Sequence, residues 1–168
     1  MTKEEFLKSL DEIGWFDYLQ NDREKITNKI KESEGDYYLD LHHFSLFSDD
    51  FYSTGDYKNF IQELEKISDL NFDLPEINVN EDDNRIDVKV IIQNKEFDMN
   101  FDLDESMIIP QIEKHFNELF TKLEIDSRLL WLPLESDIFF YVFIPVELYK
   151  KAVKSGLIPN EPDYLNNL

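Results

Sequence analysis

The chain has no cysteine, only four glycines and six prolines, and fewer than half as many bases as acids: 17 Lys and Arg against 37 Asp and Glu. Each shortage excludes something. Without cysteine there is no disulfide, no thiolate metal site and no thiol nucleophile. The few glycines form neither a Walker loop nor a dinucleotide fingerprint, and no serine stands in a GxSxG elbow. There is no low-complexity tract and no repeat at a solenoid period. The longest apolar run, DIFFYVFIPV, falls well short of the roughly 20 residues that cross a bilayer. The opening MTKEEFLKSLDEIGWF is charged and amphipathic from its third residue, unlike a secretory leader, so the cytoplasm is the expected compartment.

What is present is a chain of 168 residues with 42% hydrophobic side chains, enough to bury a core without staples. A single globular domain over residues 1–168 is the expectation. The formal net charge is −20. Such a charge opposes binding to nucleic acid or an anionic membrane, which are themselves negative, and suits a basic partner.

Apolar periodicity sets the organisation. Phe6, Leu7, Leu10 and Ile13 recur at helical spacing up to Gly14. Asp22 is placed to cap a second helix, whose thin stripe of Ile26 and Ile30 suggests a surface position. Tyr37 to Phe44 alternates like a strand. Tyr57, Phe60, Ile61, Leu64 and Ile67 share a helical face, as do Ile108, Ile112, Phe116, Leu119 and Leu123, with Pro110 tolerated in the first turn. RLLWLPL and DIFFYVFI read as a hairpin turning at Glu135 and Ser136. Pro145 starts a last helix that Gly156 ends, and the remaining tail reads as irregular. The predicted fold class is α+β, a mainly antiparallel sheet of about five to six strands with helices packed largely on one face.

The strongest pattern is a meander from about Glu76 to Leu103. A turn at Asn94 and Lys95 would set Ile92 opposite Phe97, Val90 opposite Met99, Val88 opposite Phe101 and Ile86 opposite Leu103, all on one apolar face. A turn at EDDN would set Val79 opposite Ile86 and Ile77 opposite Val88. On the solvent side this register brings Asp87 against Asp102, with Lys89 against Asn100 and Asp98 continuing the row. Opposed like charges cost stability, so such a row suits cations supplied by a partner.

A second acidic region, Lys31 to Lys58, has no Lys or Arg between its ends and interleaves aromatics with acids. Its loop half, FSDDFYSTGD, carries Asp49, Asp50, Phe51 and Tyr52, a set suited to Lys and Arg through ion pairs and cation–π contacts. Among titratable groups, Asp40 and His42 share a face of the predicted strand and would be the start of a metal site. They lack the spacing of any metal motif, and no metal or cofactor is expected. The Asn80, Asp82, Asn84 series lacks the glycine and terminal glutamate of a calcium loop.

In size, charge and acidic–aromatic patches the chain resembles the immunity proteins of bacterial toxin–immunity pairs. The resemblance implies a non-catalytic protein that neutralises a basic cognate toxin, such as a nuclease, by blocking its active or substrate-binding surface. The partner-binding residues expected on physical grounds are Asp49, Asp50, Phe51, Tyr52, Asp87, Asp98 and Asp102. Two alternatives share the sequence evidence: a nucleic-acid mimic that inhibits a DNA-binding protein, and a small metal-assisted hydrolase using Asp40 and His42.

Overall fold

Thr2 opens the first helix. Its hydroxyl accepts the Glu5 N–H, and the Glu5 carboxylate accepts the Thr2 N–H at 2.7 Å, so two otherwise unpaired donors are satisfied reciprocally. Gly14, at φ +82°, ends that helix in a conformation that side chains rarely adopt. The computed structural model describes residues 1–18, 22–47, 54–68, 72–80, 85–92, 95–102, 108–134 and 137–168, with 72–80 described by their backbone.

In chain order the elements are α1 (Lys3–Glu12), α2 (Trp15–Tyr18), α3 (Arg23–Glu32), a 3-10 helix (Tyr37–Leu41), β1 (Phe44–Phe47), α4 (Thr54–Ser68), β2 (Phe72–Asn80), β3 (Arg85–Ile92), β4 (Lys95–Asp102), α5 (Ile108–Lys122), β5 (Ser127–Leu132), β6 (Ile138–Pro145), α6 (Val146–Lys154) and α7 (Pro162–Leu165). The class is α+β, as the pattern predicts. The strands do not form one sheet, however: the described ones fall into two of three strands each, ordered β1-β6-β5 and β2-β3-β4. Hairpin periodicity fixes which neighbours pair. It carries no information on whether two hairpins share a sheet. Among the described residues no helix is long and apolar enough to cross a membrane.

Contacts gather the chain into two compact units, Met1–Ser45 with Asp126–Leu168, and Leu46–Ile125. In the first, Phe6 and Leu10 of α1, Trp15 and Phe16, Ile26 and Ile30 of α3, Leu41, and the β5–β6 residues Leu130, Leu132, Val142 and Ile144 form one core with α6. Both isoleucines of α3 are buried, so this helix is no surface appendage. Its stripe is thin because two side chains suffice to seat it. Tyr37 to Leu41 is a 3-10 helix and not the expected strand. Its three-residue period sets Tyr38 and Leu41 on one side, where Leu41 is buried and the Tyr38 hydroxyl donates to the Pro133 carbonyl at 2.5 Å. Pro145 precedes α6, and Gly156 (φ +70°) closes it, with the Leu157 N–H reaching the Ala152 carbonyl at 2.9 Å. The tail, expected to be irregular, contains α7. There Tyr164 accepts the Trp131 N–H at 2.8 Å, while Tyr149 of α6 donates to the Trp131 carbonyl at 2.6 Å.

In the second unit α4 and α5 contribute the apolar faces read from sequence. Tyr57, Phe60, Ile61 and Leu64 are buried from α4, and Ile108, Ile109, Ile112, Phe116, Leu119 and Phe120 from α5. They accompany Ile86, Val88, Val90, Ile92, Met99 and Phe101, all buried. Tyr57 packs on Phe101 at 5.3 Å between ring centres, and Phe60 meets Phe116 edge-on at 5.1 Å. Burying each such side chain contributes about 1.5–3 kcal/mol before entropy is counted. The expected burial of Leu103, and the turns at EDDN and at Glu135 and Ser136, lie outside the described residues.

Candidate functional site

RIDVKVII and KEFDMNFD alternate, so β3 and β4 each send one set of side chains inward and one outward. The β2–β3 register is the expected one, with Ile77 opposite Val88 and Val79 opposite Ile86. The β3–β4 register differs from expectation by two residues: Val90 faces Phe97, Val88 faces Met99 and Ile86 faces Phe101. The connection therefore spans residues 93–94, because Ile92 faces Lys95. A two-residue slip leaves every side chain on its own face, so the apolar pattern cannot detect it.

On the outer face the slip reverses the expected electrostatics. Asp87 stands opposite Asn100, not Asp102. Asp102 stands opposite Arg85, and Asp98 opposite Lys89. Opposite charges thus confront each other where like charges were expected, and this pairing favours the observed register. Asp87 Oδ1 lies 2.9 Å from Arg85 Nε, an ion pair without the alignment of a hydrogen bond. Lys89 Nζ lies 3.4 Å from Glu96 Oε2. The side chains of these pairs are 38–64% exposed, and each pair contributes at most about 1 kcal/mol.

The two bases do not neutralise the face. Four carboxylates (Asp87, Glu96, Asp98 and Asp102) share it with Arg85 and Lys89. With Lys89 turned to Glu96, exposed Asp98 forms no ion pair or hydrogen bond among the described residues. Arg85, Asp87, Lys89, Asp98 and Asn100 line a shallow depression of about 450 Å³. Of the sequence-predicted binding residues the structure therefore brings Asp87, Asp98 and Asp102 onto one surface. Asp49, Asp50, Phe51 and Tyr52 lie outside the described residues.

Asp40 and His42 do not share a strand face, since the strand is absent there. His42 Nδ1 contacts the Leu39 carbonyl at 2.5 Å, which assigns it the ring proton, and the ring packs on Phe140 at 4.8 Å. Burial holds its pKa below the ordinary histidine value. Among the described residues no three His, Asp or Glu side chains converge as a metal-ligand set. His43 is the more constrained ring, with 4% of its side chain exposed. Its Nδ1 accepts the Phe143 N–H at 2.9 Å, its own N–H donates to Tyr141, and Nε2 stands 3.6 Å from Asp22 without a hydrogen-bond partner. Asp22 thus occupies the helix-start position without capping it, its carboxylate lying near the histidine instead. Burial pushes His43 down to about 4, against a smaller opposing pull from Asp22. Half-buried Lys29 is also lowered, by burial first and then by Lys25 one turn away.

Two structural details are not legible in the sequence. Nothing in the pattern separates His43 from His42, and nothing marks Gln111, whose amide grips both backbone groups of Asp102 at 2.9 Å. No family model, no curated protein and no solved structure matches the chain.

Proposed function

We propose that the protein is a non-catalytic inhibitor that binds a basic protein, in the manner of an immunity protein neutralising a cognate toxin in the bacterial cytoplasm. The observation that carries this reading is the outer face of β3 and β4, where four carboxylates meet two bases in a chain of net charge −20. A nuclease is the partner for which the chemistry is most direct. Its cleft presents Lys and Arg to phosphates, and a surface bearing spaced carboxylates satisfies the same cations. The charge that repels nucleic acid from this protein is the charge that draws such a cleft toward it.

The test starts with capture from the native lysate and identification by mass spectrometry, followed by kinetics with the purified partner at several ionic strengths. Association should slow steeply as salt rises, and the partner's activity should fall in proportion to occupancy. Combined Asp98→Asn and Asp102→Asn should slow association severalfold at low salt with little change in dissociation. An affinity indifferent to salt, or a partner fully active in the complex, would sink the reading.

A further inference from the structure

Among the described residues β4 is an edge strand, with no further strand beyond it. Ile92 and Lys95 flank a two-residue connection, so they form a hydrogen-bonded pair, and the alternation then runs regularly along the hairpin. Lys95, Phe97, Met99 and Phe101 bond to β3, while Glu96, Asp98, Asn100 and Asp102 turn their N–H and C=O groups outward. The Gln111 amide confirms this phase independently, because it takes both backbone groups of Asp102 from the outer side. The other three are unclosed: Glu96, Asp98 and Asn100 make no outward backbone hydrogen bond among the described residues. The contrast with β5 is direct, since there two tyrosine hydroxyls close Trp131. An unpaired strand edge is a template for another strand.

We infer that the β4 edge receives an extended basic segment of the partner, which adds antiparallel as a fourth strand opposite Glu96, Asp98 and Asn100. This rests on the preceding reading that the partner is a basic protein. Residues paired directly with Glu96, Asp98 and Asn100 have side chains on the outer face, so the first two positions call for Lys or Arg. The residues between them fall on the inner face beside half-buried Phe97 and buried Met99, so they should be apolar. The charge selects the occupant. A second copy of this chain, pairing antiparallel about Asp98, would set that carboxylate against its own counterpart, whereas a basic strand neutralises it.

A capped synthetic peptide of order Thr-Val-Arg-Val-Arg places Thr opposite Asn100 and the two Arg opposite Asp98 and Glu96. It should bind the full chain at low ionic strength and slow hydrogen exchange at the Glu96, Asp98 and Asn100 amides. N-methylation of its central Arg removes the donor aimed at the Asp98 carbonyl and should weaken binding roughly tenfold. N-methylation of the Val between Thr and that Arg, whose N–H points away, should change affinity little. All three peptides carry equal charge. On the protein side, Asn100→Pro deletes one outward N–H without touching the β3–β4 ladder, and a similar roughly tenfold loss is expected. Equal binding of all three peptides would show attraction by charge alone, overturning strand addition while leaving the basic-partner reading intact. Failure of the unmodified peptide to bind would also overturn strand addition, and the partner kinetics described above judge the broader reading separately.

Discussion

His43 Nδ1 accepts the backbone N–H of Phe143 at 2.9 Å, so this side chain does for β6 what a neighbouring strand's carbonyl would do. An imidazolium has no lone pair at Nδ1 and cannot hold this bond. The ring must stay neutral for the join to persist.

Stability should therefore depend on pH through His43. Its folded-state pKa, about 4, lies below the unfolded value of 6.5, so between them the unfolded chain binds more protons. The contribution is intact above pH 6.5 and is lost as pH falls toward 4, by up to about 3 kcal/mol. Asp22, Lys25, His42 and Lys29 are the charged neighbours that modulate it. His43→Asn offers a carbonyl acceptor that does not titrate. Urea unfolding from pH 7 to 4 should show a shallower loss in that variant than in the parent, and parallel pH profiles would refute the assignment.

The β3–β4 register predicts a charge rescue. Lys89→Glu places a carboxylate opposite Asp98 and should destabilise by roughly 1 kcal/mol or less. Adding Asp98→Lys should recover most of that loss. In the register expected from sequence, Lys89 faces Asn100, and the second substitution would rescue nothing. Urea midpoints of the three proteins decide between the two.

Phe116 is fully buried and meets Phe60 edge-on. Phe116→Ala should cost about 3–5 kcal/mol, the range for emptying an aromatic site in a core. A double-mutant cycle with Phe60→Ala should return a coupling of about 1 kcal/mol. Additive losses would mean that the two rings do not share a packing site.

The acidic–aromatic segment offers a separate test of partner binding. Combined Asp49→Asn and Asp50→Asn should weaken binding chiefly at low salt, through a slower on-rate. Tyr52→Ala should weaken it at any salt, by about 2 kcal/mol or more, through faster dissociation. Rates for both variants, measured against the purified partner, would expose this segment as mere solvated surface if neither changes.

Legibility in the sequence tracked the length of each pattern. The faces of α4, α5, β3 and β4 were readable because five or more apolar positions repeat at one period in each helix or hairpin. Tyr37 to Leu41 departs from the expected strand because five residues are too few to separate the two periods: both alternation and a three-residue period turn Leu41 inward. The hairpin register was misread by a period-preserving step, with the information lying in the charges of Arg85, Lys89, Asp98 and Asp102 rather than in the apolar residues. The acidic surface was visible as composition. The β4 backbone groups that stay unpaired among the described residues were not, because which groups these are depends on register and on Gln111.

Tyr164 and Tyr149 have a consequence for solubility. Their hydroxyls occupy the N–H and C=O of Trp131, leaving those two groups of β5 unavailable to a strand of another molecule. A protease that clipped the chain ahead of Pro162 would remove Tyr164 and bare the Trp131 N–H beside an apolar strand. We predict that such a clipped protein polymerises into cross-β fibres faster than the full chain, despite its high negative charge. Light scattering and thioflavin fluorescence over time would measure the difference, and equal lag times would show that β5 needs no guard.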